Sequence, residues 1–478
     1  MKRMNIKQMA LVLGVSALTF TGCKKAIDDF GTLNNNPNAT TVPITSALLT
    51  NVLANVGGNV WGGGINTTAG LYCQYMSETQ YTDISRYAAP TLNWDGIYAG
   101  DLYDLQNIIN TNTNESTKAI AAANGSNANQ IATARILKSY YYLMLTDAFG
   151  DIPYSQALQG KGTIAYDKQE NVYPAIINEL KEAVAQFDGG ATVTGDVLYS
   201  GSITKWKKLA NSLRAIAALR MSKANATLGK TEFAAAIAAG VIDANADNAG
   251  IVYPGGNYRN PIYNYYVITQ RFDFAVSKTV TDYLSGVNDP RINAFGHTTQ
   301  GFPYGLTRND ALAWQTLNPN FAFLLAFTNT PQTMPVYLVT AGQMYLARAE
   351  AARLGWTSEV TATMYTTGIT LEMNRWGITG TTAIATYLAQ PAVALGTGDA
   401  QKIAEQRWLS HFPDGNQGWA EWRRTGYPVL TPAPGSGKQV PRRIPYGPNE
   451  PLYNPTNYAA AAAGYSNNSQ DAKVWWDK

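Results

Sequence analysis

Apolar side chains recur every three or four residues from Gln130 to Phe149, where Ile131, Ala134, Leu137, Tyr141, Leu145 and Ala148 share one helix face. A chain that repeats this period must bury one stripe of each helix against another, which restricts it to packed helical layers. The period returns over Val172–Phe187, with Ile176, Ile177, Leu180 and Val184, and over Ile203–Ala226, where Thr204 is placed to cap. Gly150-Asp151-Ile152-Pro153 stops the first of these segments. Further helices are expected at Phe233–Ile242, Val276–Leu284, Met334–Leu354, Ser358–Trp376 and Ala400–Ser410. Strands are scarce, with Ile251–Tyr253 and Tyr263–Ile268 as short candidates.

Composition narrows the function classes. Hydrophobic residues make up 45% and charged residues only 14%, which excludes intrinsic disorder. A net charge of +3 offers no basic field for a phosphate backbone. With two His and two Cys in the whole chain, a His/Cys metal cage is all but excluded. The aromatic share is 11%, with 29 Tyr and 11 Trp, and it fits recognition of neutral ligands.

The amino terminus reads as an export signal. Lys2, Arg3 and Lys7 precede the uncharged run Met9–Phe20. As a helix that run covers roughly 18 Å, too short to span a bilayer. It ends in Phe20-Thr21-Gly22-Cys23, which resembles a bacterial lipobox, so residues 1–22 are expected to be removed and Cys23 lipidated. The mature chain then carries 33 basic and 33 acidic side chains, and Cys73 is its only thiol. Residues 23–45, including Gly31–Thr41, read as a turn-rich tether, and 46–478 as one large domain.

Gly57–Tyr98, Ile251–Asp273 and Phe295–Thr330 are rich in Gly, Asn and aromatics and are expected to be long irregular segments. Such segments are uncommon in compact domains and often functional. Asp243–Gly250 imitates a calcium loop, but Asn248 stands where Gly is needed and Pro254 where a bidentate Glu belongs, so no metal is expected. No nucleophile elbow, Ser–His–Asp order or phosphate loop is present, and His297 and His411 have no recognisable partners. Asp101 and Asp104 share a helix-like face, but 33 acidic residues supply many such pairs, so a glycoside hydrolase is a weaker reading.

Several segments together resemble one family. They are Leu33-Asn34-Asn35-Asn36-Pro37-Asn38, Phe149-Gly150-Asp151-Ile152-Pro153-Tyr154, Trp206 with Leu209–Leu213, and Asn288-Asp289-Pro290-Arg291. Ala349-Glu350-Ala351 with Gly355-Trp356, the run from Gln406 to Pro428, Pro441–Tyr446 and Val474–Asp477 complete the series. In order and spacing the chain is similar to the SusD/RagB family of Bacteroidetes outer-membrane lipoproteins, in its SusD-like subgroup. The resemblance implies a mainly α fold, with four tetratricopeptide-like helix pairs as a superhelical scaffold under a long-loop, ligand-facing lobe. It also implies a non-enzymatic, cofactor-free receptor at the cell surface. That receptor would deliver oligosaccharides, or in some members peptides, to a SusC-like TonB-dependent transporter.

Within that frame the signature around Trp419, Trp422, Arg423 and Arg424 is expected to pack the scaffold, with Arg423 or Arg424 paired to Glu421 or Glu350. Trp206, Trp356, Trp376 and Trp408 are read as scaffold too, and Trp475 and Trp476 as a pin for the carboxyl terminus. A sugar offers a flat C–H patch to an aromatic face and hydroxyls to amides and acids. The candidate ligand residues are therefore Trp61, Tyr72, Gln80, Tyr81, Asp83, Trp94, Tyr258, Tyr263 and Trp314, with Trp61 and Trp94 foremost.

Overall fold

A computed structural model describes residues 42–325 and 331–478, so the leader, Cys23 and most of the expected tether lie outside the described residues. Helix α1 (Thr45–Trp61) opens the body, followed by α2 (Gly64–Tyr72) and strand β1 (Met76–Glu78). The last turn of α1 and the whole of α2 fall within Gly57–Tyr98, where an irregular segment was expected. The glycines there disguise a helical period, because Leu49, Val52, Leu53, Val56 and Val60 bury one face of α1. Gly57 belongs to that packing: a Cβ on it would lie 2.0 Å from the Tyr253 hydroxyl.

Next come α3 (Tyr103–Thr113), α4 (Asn127–Phe149), α5 (Gln169–Gln186), α6 (Ile203–Arg220) and α7 (Ala226–Ala239). The expected helix Ile203–Ala226 thus ends at Arg220. Asn225 then caps α7 by accepting from the Leu228 N–H, which sets a new helix axis. Strand β2 (Ala249–Ile251) lies close to its expected position. Tyr263–Ile268, expected as a strand, is helical instead, because the Asn260 side chain accepts from the Ile262 and Tyr263 N–H groups and Pro261 starts a turn.

Strand β3 (Phe274–Val276) pairs antiparallel with β1, Met76 facing Val276 and Glu78 facing Phe274. Helices α8 (Lys278–Gly286) and α9 (Arg308–Leu317) follow, the latter inside a segment expected to be irregular. Met334–Leu354 divides into β4 (Val336–Val339), paired with β2, and α10 (Ala341–Arg353). The division falls at Thr340, whose capping box with Gln343 satisfies the first helix donors. Helices α11 (Thr361–Arg375), α12 (Asp399–Ser410) and α13 (Gly415–Thr425) complete the scaffold.

The fold is mainly helical. Helices α4 and α5, α6 and α7, α10 and α11, and α12 and α13 pack as four successive pairs, each touching the next. Residues Ile44–Lys478 form one compact unit. Trp206, Trp408, Trp419 and Trp476 are fully buried within it. Trp419 donates to the Pro441 carbonyl (3.0 Å), and the Arg423 guanidinium stacks between Trp419 and Trp476, 3.5 and 4.7 Å from the ring centres. Arg424, not Arg423, holds the carboxylates.

Candidate ligand-binding cleft

A cleft of about 1010 Å³ is built where α1, the Ile97–Leu102 turn and the β1–β3 ladder meet. Trp61, Asn55 and Asn59 line it from α1, Met76 and Phe274 from the ladder, and Tyr265 and Arg271 from the segment before β3. Asn93 and Asn264 add exposed amides. The sequence places Asn51, Asn55 and Asn59 four residues apart, so the helix turns all three to one side. Asn51 donates to Asp104 (3.0 Å), while Asn55 and Asn59 donate to Asp101 (2.9 and 3.1 Å).

Asp101 is the one carboxylate on the cleft lining among the described residues. Tyr141 donates to it as well, at 2.9 Å. Burial pushes its pKa up, against the lowering effect of these three donors. The two facing carboxyl groups that glycoside hydrolysis uses are not on this lining. On the opposite wall Tyr265 stacks on Phe274 at 5.7 Å and donates to Asp273 (2.9 Å), which also accepts from Arg271 Nε (2.7 Å). These bonds fix the tyrosine ring and the guanidinium beside the opening.

A ledge of expected ligand residues adjoins this wall. Thr79 N–H donates to the Asp273 carbonyl (2.8 Å), so the chain leaving β1 is tied beside the cleft. It carries half-buried Gln80, Tyr81 (55% exposed) and exposed Asp83. Helix α9 supports it: Gln315 donates to the Thr79 carbonyl (2.8 Å), and the Arg308 guanidinium lies 5.8 Å over the Tyr81 ring. Half-buried Trp314 of the same helix packs edge-on to Phe302 at 4.8 Å. Glu78 locks the base of the ledge, accepting from Ser85 N–H and Oγ, both at 2.8 Å. Burial pushes the Glu78 carboxyl up to about 7.

The other candidates divide. Trp61 lines the cleft from the end of a helix rather than from a loop, and it is only 5% exposed. Tyr263 is half-buried at the end of a turn whose Pro261 and Ile262 reach the cleft. Tyr258 is 69% exposed at the tip of the Gly255–Tyr258 bridge, away from the lining. Tyr72 and Trp94, expected as ligand residues, are instead buried in the core. Tyr72 packs on Trp419 at 5.3 Å. Trp94 is ringed by Tyr98, Phe149, Tyr166 and Tyr446 and donates to Glu450 (2.8 Å). Sequence reading missed Asn55, Asn59 and Arg271; the four-residue asparagine spacing was the available signal.

In the calcium-like segment, Lys208 fills the space a cation would take, donating to Asp243 and Asp247, both at 2.7 Å. Asn248 Oδ1 accepts from the Ala341 N–H (2.7 Å).

Comparison with known proteins identifies the family. A SusD-like family model, described as "Starch-binding associating with outer membrane", matches residues 37–447. Among solved structures, a chitin-binding protein is 27% identical at a TM-score of 0.76, the match covering 91% of this chain and 99% of that one. A chitin-binding SusD homologue from Flavobacterium johnsoniae is 25% identical, TM-score 0.75, covering 91% and 98%. A SusD homologue from Bacteroides uniformis is 25% identical, TM-score 0.76, covering 90% and 99%. No functionally curated protein matches the chain in sequence.

Proposed function

The chain belongs to the SusD-like family, and from that premise we propose that it is an outer-membrane lipoprotein that captures a neutral oligosaccharide and hands it to a SusC-like TonB-dependent transporter. The cleft lining carries this reading: an indole, a fixed tyrosine and four asparagines meet there, with one carboxylate that is already hydrogen-bonded. Aromatic faces cover sugar C–H patches, and amides serve as both donors and acceptors to hydroxyls. The volume of about 1010 Å³ is at the upper end for small-ligand sites and admits several sugar rings.

The family description names starch, and two related structures bind chitin, so glucans and N-acetylglucosamine oligomers are the ligand classes to try first. Exposed Tyr81 on the ledge extends the platform beyond the cleft. Lipidation of Cys23 supplies the anchor, and no helix among the described residues is long and apolar enough to cross a membrane. Titrating the mature chain with maltohexaose and chitohexaose tests the reading: one of them binds, and Asn93→Ala with Asn264→Ala weakens it. Binding of peptides with silence toward both glycans would replace it with a peptide receptor.

A further inference from the structure

A second cleft, about 570 Å³, opens among α3, α4, α5 and the loop after Tyr154, and it shares no lining residue with the first. Ser139 lies at its floor, 1% exposed, and its Oγ finds no hydrogen-bond partner among the described residues. A hydroxyl stripped of water and left unpaired is uncommon in a folded chain, and a ligand atom is one of the few ways to satisfy it.

The charges around it pair unevenly: Arg135 holds both Glu179 and Glu182, and Lys138 holds no carboxylate among the described residues. The Lys138 ammonium lines the cleft and donates to the Gln106 side-chain oxygen at 2.6 Å. Glu179, the one carboxylate on the lining, is committed to Arg135, which donates to its two oxygens at 2.7 and 2.8 Å. No ion pair joins Lys138 to a carboxylate among the described residues. Burial accordingly lowers the Lys138 pKa, opposed in part by Glu179.

The walls have the composition of a saccharide site. Tyr142 and Tyr154 meet edge to face with ring centres 4.7 Å apart, and Gln106, Asn110 and Gln159 contribute amides. Leu158, also on the lining, holds a left-handed backbone at φ 62°, a conformation a leucine adopts only when its surroundings impose it.

We propose that this second cleft binds a small acidic saccharide of the uronic-acid type, its carboxylate on Lys138 and its hydroxyls on Ser139 and the neighbouring amides. The site is separate from the neutral-oligosaccharide cleft, so either can fail without the other.

Calorimetry and saturation-transfer NMR of the mature chain with D-glucuronate and D-glucose test it. Glucuronate is expected to bind at least tenfold more tightly than glucose. Lys138→Met is expected to lose at least tenfold in affinity and Lys138→Arg less. Asn110→Ala, at an exposed position that leaves the core intact, should lose severalfold, while Asn93→Ala in the first cleft changes nothing. Equal binding of the two sugars, no binding of glucuronate, or loss through Asn93→Ala rather than Asn110→Ala would each overturn the proposal.

Discussion

Arg424 grips Glu350 through two parallel hydrogen bonds of 2.6 Å each, both side chains buried. Arg424 also donates to Glu421 (2.7 Å), which accepts from Arg407 (2.6 Å). Arg220 joins through Asp147 and lies 3.6 Å from Glu421. The network therefore ties α4, α6, α10, α12 and α13 together. A buried charge pair adds little over an apolar one, but removing one partner strands the other. Arg424→Met should cost about 3–5 kcal/mol in denaturant unfolding. A loss below about 1 kcal/mol would show that the network is not what holds the pairs together.

Trp94 and Tyr81 should behave oppositely. Trp94→Ala empties a buried, hydrogen-bonded aromatic cluster and should cost about 3–5 kcal/mol of stability. Tyr81→Ala removes a ring that is 55% exposed and should leave the melting temperature within a degree or two while weakening glycan binding about tenfold. Thermal melts beside glycan titrations read both, and a stable Trp94→Ala that fails to bind would reverse the assignment.

Glu78 gives a pH signature. Desolvation raises its folded pKa from 4.5 to about 7, against the lowering bonds from Ser85. Between those values the folded chain holds a proton that the unfolded chain has released, so this contribution to stability is full below 4.5 and lost as pH rises through 7. Glu78→Gln removes the titration while keeping an oxygen to accept from Ser85. The variant should gain stability over the parent at pH 8 and lose that advantage at pH 5; a constant difference across the range would contradict the assignment.

Anchoring has its own test. Cys23→Ala should release the protein from the membrane fraction of expressing cells, and retained membrane association would contradict lipidation at Cys23.

The long apolar periods were legible: Gln130–Phe149, Val172–Phe187 and Ala400–Ser410 sit within a few residues of α4, α5 and α12. The Arg424–Glu350 pairing was also among the expected ones. Segments whose structure depends on distant partners were not legible. Val336–Val339 reads as helix from its neighbours, but it pairs with β2, more than 80 residues earlier in the chain. Trp94, between Asn93 and Asp95, reads as a ligand residue in irregular chain, yet its partner Glu450 lies 356 residues away, and only the folded chain brings the two together. Asn55 and Asn59 became readable as cleft residues only once the glycine-rich stretch was known to be helical.

The central claim is that the cleft lined by Trp61, Tyr265 and the asparagines captures a neutral oligosaccharide without cleaving it. Calorimetric titration of the mature chain with maltohexaose and chitohexaose, with reducing ends assayed in the same samples, tests it most directly. The account predicts saturable binding of one of them, a loss of affinity of at least tenfold in the Asn93→Ala/Asn264→Ala double variant, and no new reducing ends. Release of reducing ends, or binding untouched by the double variant, would contradict it.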